Sequence, residues 1–476
     1  MRTNTVRKPE PVFTAPGAIA VKVDAVAALR RSVLTCLLWE NSAYEDGVSI
    51  TDRIIDLASK VKPEELAAIA IEARHEQHLR HVPLLLTSIL ASRAKGKIVV
   101  DTIVSVVSRA DELAELLAVH AKVNGVGPDQ VKKVMTHAMR RGLAKAFEKF
   151  DAYQISKYAS ADREIRLRDV LFLVHPKPSS PERKALYDAL AAGTLAPADT
   201  WEVESARGKD KAETFTRLLT EGKLGYSALL RNLRGMSEAG VDHKLISDAI
   251  RARKGAGRVL PFRFLSAARH APRFEKDIDA AMIEALKGIE KLPGKTVLIV
   301  DVSGSMQMAL STRGRAYRSA SQSETTRLDT AAALAAMITG VCENPVVYAT
   351  AGSDSRRIHD TKLIPARQGM AMVDAIKTAM EKQGYGGIFL TQCMDHVAKA
   401  EIDADRVIVI TDEADCEIDA LKKPANANAF GKRNYLLNIS VEQNGIGYKP
   451  KWIHIDGWSE NVIRYIAAHE ASANNA

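Results

Sequence analysis

The chain has 476 residues, of which 46% are hydrophobic and 26% charged. That composition excludes a disordered or collagen-like polypeptide, and the length asks for two or three domains rather than one core. Residues 1–290 carry 46 Lys and Arg against 37 Asp and Glu, whereas residues 291–476 carry 21 of each, so the whole excess of +9 lies in the first part.

A basic part joined to a neutral one points to a polyanion-binding module fused to a second domain. No run of about 18 apolar residues occurs, so no transmembrane helix and no membrane partner are expected. The polar start MRTNTVRKPEPVF lacks the apolar segment of a secretion signal. Cys36, Cys342, Cys393 and Cys416 are widely spaced with no Cys-x-x-Cys pair. A cytoplasmic, reducing location is expected, without a disulfide framework or structural zinc.

Residues 1–20, rich in Pro, Thr and small side chains, read as an N-terminal arm. Residues 21–290 read as one helical module. AVAALRRSVLTCLLW, DRIIDLASKV, PEELAAIAIEARHEQ and DAAMIEALKGIEKL place apolar residues at i, i+3, i+4 and i+7. Short breaks such as Gly125-Val126-Gly127-Pro128 separate them, which predicts antiparallel helix pairs in a HEAT-like array.

The character changes at Lys291-Leu292-Pro293-Gly294. Thr296–Val300 (TVLIV) is a continuous apolar run, as expected of a strand buried on both faces. PVVYATAG, DRVIVITD, RNYLLNIS and KWIHIDG follow as further strands, with helices RLDTAAALAAMITGVC, MAMVDAIKTAMEK and QCMDHVAKAEI between them. The alternation predicts a doubly wound parallel α/β sheet over residues 291–476, working at the carboxyl ends of its strands.

Asp301-Val302-Ser303-Gly304-Ser305 follows the first of these strands directly. One carboxylate and two hydroxyls at alternate positions of a tight turn present three hard oxygens, which suit Mg²⁺ or another divalent cation. Asp412 ends VIVITD and places a second carboxylate at the same sheet edge. Other chemistries fail here. A nucleophile elbow needs Gly-x-Ser-x-Gly, an aspartyl-phosphate enzyme of the haloacid-dehalogenase type needs Asp where Ser303 stands, and Gly294-Lys295-Thr296 precedes a strand, whereas a P-loop follows one. No nucleophile, paired general base or nucleotide loop is evident, so a binding protein is expected and not an enzyme.

Basic residues recur along the helical module. DQVKKVMTHAMRRGLAKAFEKF shows Lys133, Arg140, Arg141, Lys145 and Lys149, and IRLRDVLFLVHPKPSS carries Arg166, Arg168, His175 and Lys177. IRARKGAGRVLPFRF adds Arg251, Arg253, Lys254, Arg258 and Arg263. A solvated face explains any one of these groups alone. Together, within a net-basic module, they fit phosphate-led RNA binding. His75, His78 and His81, at i, i+3 and i+6, have the wrong spacing for a zinc helix and sit with Arg74 and Arg80, where phosphate or solvent contact is expected.

The D-x-S-x-S turn resembles the metal-ion-dependent adhesion site of von Willebrand factor A domains. The segment IRLRDVLFLVHPKPSS is similar to the Leu-x-x-x-His-x-Lys-Pro segment of TROVE-module proteins, the family of the Ro autoantigen. GYSALLRNLRGM (Gly225–Met236) and RVLPFRFLSA resemble two further stretches of that family, whose helical module is followed by an A domain with the same D-x-S-G-S-M start. The resemblance covers roughly residues 20–470.

It implies a ring of HEAT-like helix pairs closed by the A domain. Single-stranded 3′ ends of misfolded noncoding RNA would enter the hole, and Y-like RNA would bind the outer basic face. An exoribonuclease is an implied partner in RNA quality control or processing, and a monomer is expected. His175 takes the place of the family's RNA-contacting His, with Lys177 after it, while Lys133, Arg140 and Arg141 fall in its RNA-binding region. Asp301, Ser303, Ser305 and Asp412 match the metal site. The family's Thr has no direct match, because Ile388 follows Gly386-Gly387; Thr391, three residues on, is the oxygen expected to serve. A Ser/Arg-rich insert, Leu310–Thr326, departs from the pattern. The competing expectation is a metal-dependent A-domain adaptor that works with a hexameric ATPase and uses its metal to grip an acidic ligand on a protein partner such as that ATPase.

Overall fold

Helical periodicity in the first part of the chain is realised as helices. In chain order these include α1 (Ala25–Leu34), α2 (Gly47–Lys60), α3 (Pro63–His75), α4 (Val82–Arg93), α5 (Lys97–Val106) and α6 (Asp111–Val123). They continue as α7 (His137–Phe147), α8 (Leu167–Val174), α9 (Pro181–Ala192), α10 (Lys211–Thr220), α11 (Tyr226–Glu238) and α12 (His243–Ala252). The computed structural model describes residues 12–13, 19–20, 24–34, 47–159, 163–206, 208–259, 261–284, 286, 290–308, 325–384, 386–417, 429–440, 446, 451–459 and 461–474.

The chain divides into two compact units. One comprises Arg53–Val259 and Ala267–Ala281, the other Met1–Asp52, Leu260–Ser266 and Met282–Ala476. The linear boundary at residue 290 is therefore not the division of the contacts, because α1 belongs with the sheet. Its physical anchor is Arg31, fully buried, whose guanidinium donates to the equally buried Glu413 carboxylate. Within the proposed arm, Val12 pairs with Ala20 and Phe13 with Ile19 in a two-residue antiparallel ladder.

In the helical unit α3 packs on α4 and α5, α4 on α6, and α5 on α7. Helix α4 is buried at every position from Val82 to Ala91, so its neighbours enclose it on all sides. The arginines beside the histidine cluster are spent inside this unit, which corrects the expectation of phosphate contact. Arg74 pairs with buried Glu112 at 3.1 Å, and Arg80 pairs with Asp111 at 2.7 Å and Glu115 at 2.5 Å. His75 Nε2 lies 3.1 Å from Ser105 Oγ. Burial, followed by the charge of Arg80, holds the His81 imidazole below its ordinary value.

The second unit is built on a six-stranded sheet with strands β1 (Leu292–Asp301), β2 (Cys342–Ser353), β3 (Ile358–Ile364), β4 (Arg406–Thr411), β5 (Arg433–Asn438) and β6 (Ile453–Asp456). The strand order is β3-β2-β1-β4-β5-β6. β1 pairs in parallel with both β2 and β4, so the direction of winding reverses at β1. The sheet is mixed rather than wholly parallel, because β3 returns antiparallel to β2 as the edge strand.

Helices α13 (Arg327–Val341), α14 (Met370–Gln383), α15 (Leu390–Ala400) and α16 (Asn461–Asn474) complete the unit. Val297 and Ile299 pack with Leu390, Cys393 and Met394 of α15 on one face of β1. Leu298 and Val300, pointing the other way, are equally buried, so helix and loop cover both faces. At the amino end of the strands, Arg406 of β4 is buried against Glu470 of α16. Its Nη1 also donates to Thr296 Oγ1 at 2.7 Å, and Tyr435 OH donates to Glu470 at 3.0 Å. Residues 310–324 of the Leu310–Thr326 insert lie outside the described residues.

Candidate nucleic-acid interface and sheet-edge site

On the helical unit, α8 begins with a cap made by Asp169, which accepts from both the backbone and the side chain of Arg166. Arg166 N–H donates to Asp169 Oδ2 at 2.8 Å, and the Arg166 side chain lies 3.4 Å from the same oxygen. Apolar Leu167, Val170, Leu171 and Val174 bury one face, and Phe172 stands on the other with 50% of its surface exposed. The guanidinium of Arg168, four residues earlier, lies 5.6 Å from the Phe172 ring centroid. An exposed ring flanked by a cation is a surface on which a planar, electron-rich group can stack.

The helix ends at His175 in the left-handed region (φ 48°, ψ 62°), where its backbone N–H donates to Leu171 O at 3.0 Å. Pro176 follows, and a residue before proline is disfavoured in the α region, which stops the helix there. The cap is thus made by the His175 backbone, not by its ring. Among the described residues the imidazole bonds to nothing, and it is exposed, as is Lys177. A helix-capping role for the side chain is excluded.

Helix α7 packs against α8, which brings Arg140, Arg141 and Lys145 onto the neighbouring helix. Arg141 and Lys145 are exposed, and Arg140 is half-buried with its Nε lacking a hydrogen-bond partner. Lys149 drops out of this row, because its Nζ donates to the carbonyls of Val104 and Val107 at the end of α5. Lys133, on the short helix Val131–Val134, is exposed and bonds Gln130 Oε1 at 3.0 Å. In the third basic group Arg251 is paired with Asp277 and Lys254 Nζ donates to Gly222 O, so neither is a free surface cation. The Arg258 side chain lies outside the described residues.

On the sheet, Asp301 ends β1 beside β4, at the point where the winding reverses. It is fully buried. Its Oδ1 accepts from Ser303 N–H at 2.9 Å and its Oδ2 from Thr411 Oγ1 at 2.7 Å. Burial, followed by the negative charge of Asp412, pushes the carboxyl up to about 7. Ser303 Oγ and Ser305 Oγ are 3.2 Å apart. The loop after α14 closes over this turn, with Gly304 N–H donating to Gly386 O at 3.0 Å. A Cβ on Gly386 would lie 1.8 Å from Gly352 O, so only glycine allows that approach.

Asp412 is buried, but it is not a bare ligand. Arg327, 3% exposed, donates to its Oδ2 at 2.7 Å, and Ala414 N–H donates to Oδ1 at 3.0 Å. Thr391, in the first turn of α15, has a buried hydroxyl oxygen with no hydrogen-bond partner. Asp415, also buried, accepts from Leu390 N–H at 3.3 Å and is likewise pushed up to about 7 by burial.

The oxygens of Asp301, Ser303, Ser305 and Thr391 fit a hard divalent cation that keeps several waters, and the unpartnered Thr391 oxygen is what such a site would leave without its ion. Asp412, already compensated by Arg327, fits an indirect contact through water. Among the described residues no group of three or more His, Cys, Asp or Glu side chains is placed to hold a metal ion. A cation here would therefore depend on the single Asp301 carboxylate together with hydroxyls and water.

Sequence reasoning missed Arg327, Thr411, Asp415 and Phe172. The first had a usable signal. Thr326-Arg327-Leu328-Asp329 is a reciprocal cap in which Asp329 N–H donates to Thr326 Oγ1 and Thr326 N–H to Asp329 Oδ2, both at 3.0 Å. That pattern fixes the start of α13 and with it the place of Arg327.

The TROVE domain family matches residues 182–383. The crystal structure of the Deinococcus radiodurans Ro (RSR) protein superposes with a TM-score of 0.56, covering 94% of this chain and 99% of that one at 16% identity. The fold of this chain is Ro-like. No curated protein matches it. The TROVE match takes in the Asp301–Ser305 turn; it begins after His175 and Lys177 and ends before Thr391 and Asp412. Among the described residues no helix is long and apolar enough to cross a membrane.

Proposed function

We propose that this chain is a cytoplasmic RNA-binding component of a ribonucleoprotein, without catalytic activity of its own. It takes Y-like RNA and the single-stranded ends of misfolded noncoding RNA in quality control or processing, alongside an exoribonuclease. The helical unit is read as a HEAT-like ring and the sheet unit as a von Willebrand factor A domain holding Mg²⁺ through Asp301, Ser303, Ser305 and Thr391, with Asp412 acting through water. The TROVE match and the Ro-like fold support the reading.

The observation that carries it is the end of α8. There Arg168, Phe172, an imidazole with no hydrogen bond among the described residues and Lys177 are presented within ten residues, next to the basic helix α7. Cations for phosphates and flat rings for unpaired bases are the two requirements of single-stranded RNA binding. Purified protein should carry RNA, seen as a raised 260/280 nm absorbance ratio, and crosslinking with sequencing should recover noncoding RNA joined to α7 and α8. Nucleic-acid-free protein with no crosslinks would refute the proposal.

His175→Asn isolates the ring, because Asn tolerates the left-handed backbone. Affinity for a single-stranded RNA should fall by about 1–3 kcal/mol, the scale of one stacked base. The melting temperature should hold, since the imidazole bonds nothing among the described residues. Unchanged affinity would remove His175 from the interface.

A further inference from the structure

A cavity of about 390 Å³ opens on the helical unit, with none of its lining residues drawn from α7 or α8. It is lined by His243, Lys244, Ser247, Asp248 and Arg251 of α12 and by Arg273 and Phe274 of the single turn Pro272–Phe274. Its volume falls in the range of small-ligand sites.

Three cations face it, and they differ in what balances them. Arg251 is neutralised by Asp277, to which its Nε donates at 2.7 Å. Arg273 has no carboxylate partner among the described residues. Its Nη1 instead donates to His243 Nδ1 at 2.8 Å. An arginine can only donate, so this bond requires a bare Nδ1 and puts the imidazole proton on Nε2, which lies 2.9 Å from Ser237 Oγ. Ser237 and His243 thus form a neutral chain that orients a guanidinium without cancelling its charge. The His243 ring is fixed in turn by an edge contact with buried Phe274, with centroids 5.8 Å apart. Lys244 adds a second charge, also without a carboxylate partner among the described residues, and Asp248 is the one acid on the wall.

A held guanidinium fork with an uncompensated charge and a lysine nearby match a phosphate group. We infer that this pocket binds the phosphate group of a nucleotide, as part of an RNA chain or free. The RNA source rests on the function proposed above, and the phosphate chemistry does not.

The test titrates adenosine 5′-monophosphate and adenosine into the full-length protein at low salt by calorimetry. The monophosphate should bind saturably and adenosine should not. Arg273→Gln should weaken the monophosphate at least tenfold and Lys244→Gln severalfold. Arg273→Lys, which keeps the charge and loses the fork, should fall between Arg273→Gln and the parent. His243→Phe removes no charge and keeps the ring packing, yet should weaken binding severalfold because Arg273 loses its support.

Competition by single-stranded RNA would assign the phosphate to RNA, and its absence would assign it to a free nucleotide. Either result upholds the pocket. No binding of the monophosphate by the parent, or equal binding by a folded Arg273→Gln or Arg273→Lys protein, would overturn it. Failure of the parent to bind any RNA, with monophosphate binding intact and dependent on Arg273, would instead remove the function proposed above and leave the pocket standing.

Discussion

Asp301→Ala is expected to abolish binding of Mn²⁺ or Mg²⁺ by the sheet unit. Asp301 is the only carboxylate of the turn, and both its oxygens are already aimed by hydrogen bonds from Ser303 N–H and the Thr411 hydroxyl. The hydroxyls of Ser303, Ser305 and Thr391 are neutral and cannot hold a divalent ion in water without it. Asp412 cannot substitute, because Arg327 neutralises it at 2.7 Å. RNA affinity should be nearly unchanged, since the basic residues of α7 and α8 belong to the other unit. Calorimetry should show saturable Mn²⁺ binding by the parent and none by the variant. Equal affinity in both would discard the metal assignment.

The second large effect is on stability. Arg406→Met should destabilise the sheet unit by about 3–5 kcal/mol, because it strands a buried carboxylate rather than removing a balanced pair. Glu470 would lose two bonds from the guanidinium, and Thr296 Oγ1 and Pro293 O would lose their donor. Arg433, at 2.9 Å, and Tyr435 would remain as partners. For a unit of this size the melting transition should drop by about 6–20 °C.

The pair also sets a direction with pH. Burial pushes the Glu470 carboxyl up, but the bond and charge of Arg406 outweigh it and hold the group below its ordinary value. Its stabilisation is therefore complete at neutral pH and is lost as pH falls below the ordinary glutamate range. The Arg406→Met protein should lose less stability than the parent over that acid range. Scanning calorimetry at neutral and acid pH reads both effects, and an unshifted transition would contradict them.

What was legible in the sequence follows from burial on both faces. The apolar run Thr296–Val300 can be little else than a central strand, and the carboxylate after it necessarily lands at the carboxyl edge. Strand β3 was illegible because it is an edge. Its IHDTKLI alternates weakly, and Ile358 and Leu363 are 50% and 61% exposed; the sheet was read as parallel for want of this antiparallel partner.

His175 as a helix end was readable from Pro176, whereas its left-handed backbone was not. The charged residues were the least legible, since their roles depend on partners distant in sequence. Lys149 looked like the third member of a basic row, yet the free carbonyls of Val104 and Val107 claim it. Arg74 and Arg80 looked like phosphate contacts, yet Asp111, Glu112 and Glu115 of α6 absorb them. The Asp301–Ser305 turn was visible, but Arg327, 85 residues before Asp412, was not.

The most direct test of RNA binding through phosphate contacts is the affinity of the full-length protein for a labelled single-stranded RNA as a function of salt. Each phosphate neutralised on a single strand contributes about −0.7 to the slope of log K against log salt. Arg141, Lys145, Arg168 and Lys177, acting with the other cations of the basic unit, predict a slope of several units. Affinity independent of salt, or no affinity at low salt, would contradict the account.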